Sequence, residues 1–68
     1  MEYVELESSN LSAARLEGST LYVRFKNGAV YSYSGVPTEV FKELCNADSV
    51  GKYFSLHIKN NYSFRKEE

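Results

Sequence analysis

Asn27-Gly28 stands between two runs of alternating apolar and polar residues, and no other feature constrains the fold of this chain as strongly. Before it, Leu21, Val23 and Phe25 alternate with Tyr22, Arg24 and Lys26; after it come Ala29 to Tyr33. A period of two, rich in β-branched and aromatic residues, is the mark of a half-buried strand. Gly at the turn supplies positive φ without a Cβ clash, so the two runs read as an antiparallel hairpin. The register has two solutions. In a two-residue loop Phe25 opposes Val30, and Tyr31 and Tyr33 share a face with Arg24 and Tyr22. In a three-residue loop with a bulge at Gly28, Phe25 opposes Ala29, and both tyrosines lie beside Val23 and Leu21 over the core.

The flanking segments complete an α+β pattern. Leu11, Ala13, Ala14 and Leu16 followed by Gly18-Ser19 predict a strand running into a turn. Residues 1–7 alternate weakly and read as an extended lead-in or a short edge strand. Gly35-Val36-Pro37 ends the sheet, because the residue before proline favours extended geometry and proline tolerates a helix start. Val40, Phe41 and Leu44 then recur at helical spacing, which predicts a helix over Thr38–Asn46. Asp48 or Ser49 caps a second short helix with Val50, Phe54 and Ile58 four apart, and Gly51 within it points to close packing against the sheet or the first helix. Tyr62 and Phe64 resume alternation, so an extended piece at 62–64 is available to an edge, and residues 66–68 read as a frayed tail. The expected architecture is a three-stranded antiparallel β-meander, residues 11–17, 20–26 and 29–34, packed against two short C-terminal helices.

With 68 residues there is room for one core and one domain, residues 1–68. Such a small core leaves little free energy to maintain a strained, desolvated catalytic site. One cysteine, Cys45, excludes an internal disulfide and a cysteine-based zinc site. No stretch approaches the ~18 apolar residues of a membrane span, and the acidic start lacks the basic-then-apolar order of a signal peptide; a cytoplasmic location without membrane association is expected. The formal charge of −1 argues against strong sequence-independent binding of nucleic acid. The charge is uneven, however. Residues 1–48 carry seven acids against four bases, whereas residues 49–66 carry Lys52, Lys59, Arg65 and Lys66 with no acid.

The order Ser8-Ser9-Asn10-Leu11, Leu21-x-Val23-x-Phe25-x-x-Gly28, Val30-Tyr31-x-Tyr33-x-Gly35-Val36-Pro37, Ala47-x-Ser49-x-Gly51-x-Tyr53-Phe54 and His57-Ile58-Lys59-x-x-Tyr62 resembles the KTSC domain, a small bacterial domain that also occurs at the C-terminus of some lysyl-tRNA synthetases. The resemblance spans about residues 8–65. The central Tyr-x-Tyr of that family corresponds to Tyr31-Ser32-Tyr33. The family has no established activity, and its attachment to synthetases implies RNA binding by association only. Leu16, Ser55 and Ser63 depart from the family, in which Tyr, Asn and Pro are common at those places; the first departure removes a ring from any surface shared with the tyrosine pair.

Catalysis would have to use His57 and Cys45, the single imidazole and the single thiol, and nothing in the sequence supplies a third group, a Gly-rich loop or a carboxylate pair. Cys45 on a helix reads as a small hydrophobe, and His57 as a partly buried helical residue hydrogen-bonded locally. No cofactor and no metal are implied. The chain reads instead as a non-catalytic binding module, not an enzyme, acting as a monomer. Tyrosines beside a sheet edge suit a protein partner, which is slightly favoured. The alternative is RNA: from Lys52 to Lys66 cations interleave with aromatics, an arrangement in which rings stack on bases and cations follow phosphates. The candidate surface for either partner is Tyr31, Tyr33, Arg24, Lys52, Lys59, Tyr62 and Arg65, with His57 secondary.

Overall fold

The computed structural model describes residues 3–67, and its centre is the hairpin around Gly28. Strands β2 (Leu11–Glu17), β3 (Thr20–Phe25) and β4 (Val30–Tyr33) form an antiparallel meander. The three-residue loop is the one adopted. Phe25 donates its N–H to the Ala29 carbonyl at 2.8 Å, Gly28 donates to the Phe25 carbonyl at 2.9 Å, and Gly28 sits at φ +96°. The Asn27 side chain accepts from the Ala29 N–H at 3.0 Å and fixes the turn. Val23 therefore pairs with Tyr31 and Leu21 with Tyr33, and both tyrosines project to the same side as the buried core. Compared with the expected 20–26 and 29–34, β3 is one residue shorter, since Lys26 lies in the turn, and β4 is two shorter, since Ala29 and Ser34 fall just outside it.

Two further strands enlarge the expected three-stranded sheet to five, in the order β1-β2-β3-β4-β5. β1 (Val4–Glu5) pairs with Ala13 and Ala14, so of the two readings of residues 1–7 the short edge strand is the one adopted; Met1 and Glu2 lie outside the described residues. β5 (Phe64–Lys66) pairs with β4, two residues further along than the predicted extended piece, while Tyr62 stays in the preceding turn. Lys66 is thus part of the sheet and not of a frayed tail. Glu67 extends the pairing, donating its N–H to the Val30 carbonyl at 2.7 Å and accepting from the Ser32 hydroxyl at 2.7 Å. The physical reason is that β2 and β4 would otherwise be sheet edges with unpaired backbone groups. Glu68, the last residue of the predicted tail, lies outside the described residues.

The helices lie between β4 and β5, so they are not C-terminal to the sheet. α1 (Thr38–Asn46) follows Pro37, whose carbonyl accepts from the N–H groups of Val40 and Phe41, and Glu39 lies in its first turn near the positive end. α2 (Val50–His57) is capped by the Ser49 hydroxyl, which accepts from the Lys52 N–H at 3.4 Å. Its apolar positions Val50 and Phe54, with Ile58 just beyond its end, are all buried, as their spacing of four requires. Gly51 has a different neighbour from the one expected: a Cβ there would meet the Ser8 hydroxyl at 3.2 Å, in the segment joining β1 to β2.

One core lies between the sheet and the helices. Leu11, Leu21, Val23, Val36, Leu44 and Ile58 are all but inaccessible to solvent. A bulge between Leu11 and Ala13 turns Leu11, Ala14 and Leu16 to this side together, which strict alternation would forbid. Leu44 is the fully buried anchor of α1. Replacing Leu44 with Ala should cost about 2–5 kcal/mol in urea unfolding with an unchanged m-value, through lost burial and the cavity left behind. A chain of this size holds roughly 3–10 kcal/mol in all, so the loss removes a large share of it.

Candidate functional site

At one margin of the core the helices leave the sheet uncovered, and a groove of about 870 Å³ opens there. Five rings form its interior: Phe25, Tyr31, Tyr33, Phe54 and Phe64. They hold one another in a continuous cluster. Phe25 meets Tyr31 and Phe54 edge to face at 5.5 and 5.7 Å, and Tyr33 meets Phe54 the same way at 5.4 Å. Phe64 on β5 lies tilted against Tyr31 at 5.9 Å and Tyr33 at 5.8 Å. Such edge and offset contacts fix ring orientations that area burial alone would leave loose. Tyr33 is 3% exposed, Tyr31 is half-buried, and Phe64 is 60% exposed. Lys26, Lys59 and Lys66 stand along the groove, and among the described residues no Asp or Glu lines it.

The predicted surface residues divide among three places and do not form one surface. Tyr31, Tyr33 and Lys59 belong to the groove. Arg24 and Arg65 lie on the opposite side of the sheet, since Arg24 pairs with Val30 and Arg65 with Ser32, one residue out of step with the tyrosines. Lys52 and His57 border a separate depression beside α1, with Glu43 and Tyr53. His57 is exposed rather than partly buried: its ring stacks on Tyr53 at 4.6 Å, and its carbonyl accepts from the Asn61 side chain at 2.8 Å. Tyr62 packs half-buried against the core. The pair of open tyrosines that a stacking platform would need is therefore absent, and Phe64 takes that place. Sequence reasoning missed Phe25, Lys26, Phe64 and Lys66 as site residues. The signals for them were the three-residue turn, which sets Phe25 beside Tyr31, and the alternation of Tyr62 and Phe64 carried on to Lys66.

The outer side of the sheet is an arginine–tyrosine layer. The Arg15 guanidinium lies 4.2 Å over the Tyr22 ring and 5.5 Å from that of Tyr3, Arg24 lies 4.4 Å over Tyr3, and Arg15 pairs with Glu17 at 3.1 Å. Ala13, Val30 and Ser32 are buried on this side although no helix covers it. Glu5, Glu17 and Glu67 share the face with Arg15, Arg24 and Arg65, so opposite charges are matched there, in contrast to the groove.

Cys45 packs half-buried against the core, and burial pushes its thiol up, away from the thiolate form. No group of three or more potential metal-ligating side chains comes together among the described residues, and no helix there is long and apolar enough to cross a membrane.

A model of the KTSC domain matches residues 7–62. The chain belongs to the KTSC family. Its KTSC domain is 42% identical over 61 residues to an uncharacterized protein of Stutzerimonas stutzeri, covering 87% of this chain and 86% of that one. It is 39% identical over 62 residues to part of a lysine–tRNA ligase from a Nostoc species, covering 88% of this chain but 11% of the ligase. The crystal structure of a KTSC domain protein from Yersinia pestis superposes with a TM-score of 0.87 at 26% identity, over 98% of this chain and 97% of that one. The five-stranded sheet with two helices is thus a form in which a KTSC domain is found in a crystal.

Two phenols of the domain are held neutral beyond their ordinary range. Burial, reinforced by Tyr31, pushes Tyr33 up to about 12. Burial again, followed by the 2.8 Å hydrogen bond that Tyr53 donates to Glu43, pushes Tyr53 up to about 12. In the unfolded chain both release protons near 10, so folding stability from these groups is complete below pH 10 and is lost as pH rises toward 12. Urea midpoints measured at pH 9, 10, 11 and 12 should fall across the last two intervals, and a Tyr53→Phe variant should fall less steeply.

Proposed function

We propose that this KTSC domain is a non-catalytic module that binds single-stranded RNA in the aromatic groove. The observation that carries this reading is the combination in one groove of an exposed ring, Phe64, with Lys26, Lys59 and Lys66 and, among the described residues, no carboxylate. Unpaired bases stack on aromatic side chains, and lysines follow the backbone as mobile point charges. The overall charge of −1 does not oppose this, because the acids among the described residues lie outside the groove lining and three lysines stand along it. The homologous stretch within a lysine–tRNA ligase, a protein named for an RNA substrate, is in keeping with the same reading.

A protein partner takes second place. The register of β5 leaves the N–H and C=O groups of Phe64 and Lys66 pointing away from β4, since Ser63 and Glu67 supply the bonds toward it. An extended peptide could add there. The open edge is only three residues long and carries Arg65 and Lys66, features that discourage strand addition.

Fluorescence anisotropy with a labelled single-stranded RNA tests the proposal. If three lysines contact phosphate, the logarithm of affinity should fall against the logarithm of salt with a slope of about −2. In the Lys59→Ala/Lys66→Ala variant the slope should shrink to about −0.7. Phe64→Ala should weaken binding by about 1–3 kcal/mol, and Arg24→Ala on the far side should leave it unchanged. Absence of binding even at low salt, together with saturable binding of an acidic peptide, would replace RNA with a protein partner.

A further inference from the structure

Tyr33 presents a feature that the fold does not use. Its ring is fixed between Phe54, which it meets edge to face, and the tilted ring of Phe64, and 3% of its surface remains accessible. Among the described residues its hydroxyl has no hydrogen-bond partner, yet no buried polar side-chain atom there is left unpartnered. The oxygen therefore keeps part of that small accessible surface, and the groove is the cavity that Tyr33 lines. Phenylalanine would fill the same space without a polar atom to satisfy. The Tyr31 hydroxyl, on a half-buried residue, has water available and poses no such question.

We infer that the Tyr33 hydroxyl is the hydrogen-bonding group of a base-reading subsite at the bottom of the groove. This inference rests on the proposal that the groove binds RNA, and adds that it distinguishes one base from another. The neighbouring geometry supplies the other requirements. Phe64, 5.8 Å from Tyr33 and largely exposed, offers the stacking surface. Lys66 projects from the same side of β5 two residues on, beside the path of the phosphates. A flat group stacked on Phe64 lies beside the Tyr33 ring, and one with polar atoms on its rim can reach the phenol, which describes a nucleobase. Held neutral by burial, the phenol is able both to donate to a carbonyl oxygen or ring nitrogen and to accept from an amino group. One such bond, made to the matching base and left unmade with another, discriminates by roughly threefold to tenfold.

The test uses the full chain and five labelled RNAs identical except at one central position, which carries each of the four bases or an abasic sugar. The wild-type domain should bind the best of the four bases roughly threefold to tenfold tighter than the poorest. Tyr33→Phe should bring all four within about twofold while retaining the salt dependence. Its melting temperature should stay within about 3 °C of wild type, because no bond of the fold is removed. A wild-type domain with no base preference, or a preference that survives in Tyr33→Phe, overturns the inference and leaves the groove as an unselective RNA site. A larger fall in melting temperature overturns it as well, by assigning the hydroxyl to the fold. Failure to bind any of the five RNAs removes the RNA reading itself and this subsite with it.

Discussion

The left-handed backbone at Gly28 sets the position of nearly every functional side chain in the molecule. At φ +96° it closes a three-residue turn and commits β4 to a register in which Tyr31 and Tyr33 face the helices. A side chain at that position would be strained even though the space around it is open. A slip of one residue would turn Ser32 toward the core and send both rings to the opposite side. Phe54 would then lose its contact with Tyr33, Phe64 would have no ring to lean on, and the groove would lose its interior. A single dihedral angle thus decides whether the aromatic cluster exists.

The parts of the fold that were legible in the sequence are those whose signal is repeated. The apolar run of β2 ending at Gly18-Ser19, the β3 alternation, the Asn-Gly turn and the apolar spacing of α1 each involve several residues in agreement. β1 and β5 were legible only as extended pieces that could serve an edge, without firm bounds or partners, because two or three residues do not establish a period and both are held by pairing with other strands. The same cause divides the candidate site. Tyr31, Tyr33 and Lys59 could be picked out by type, but whether Arg65 joins them depends on the parity of β5, which places Phe64 and Lys66 toward the groove and Arg65 away from it. Arg24 is excluded in the same way by the parity of β3.

A sheet covered by helices on one side has to protect its other side by different means. Here Tyr3 and Tyr22 sandwich or support the Arg15 and Arg24 guanidinium groups, and the flat stacked layer shields Ala13 while keeping charge at the surface. This explains why a chain of 68 residues maintains a five-stranded sheet without a second helical layer. It also gives Arg24, which composition alone would assign to a binding surface, an intramolecular role.

The pairing of β5 with β4 spans both helices, joining Phe64 to Tyr33 and Lys66 to Tyr31, whereas β2, β3 and β4 are joined by short local turns. Closing that long loop costs more chain entropy than forming the hairpins, and its return is a three-residue ladder. β5 is therefore the natural unit for local opening while the rest of the sheet stays intact, with amide exchange faster there than in β3. Since Phe64 and Lys66 ride on this strand, each opening dismantles the groove, and an occupant that bridges β5 to the far wall acts as a clasp that slows it.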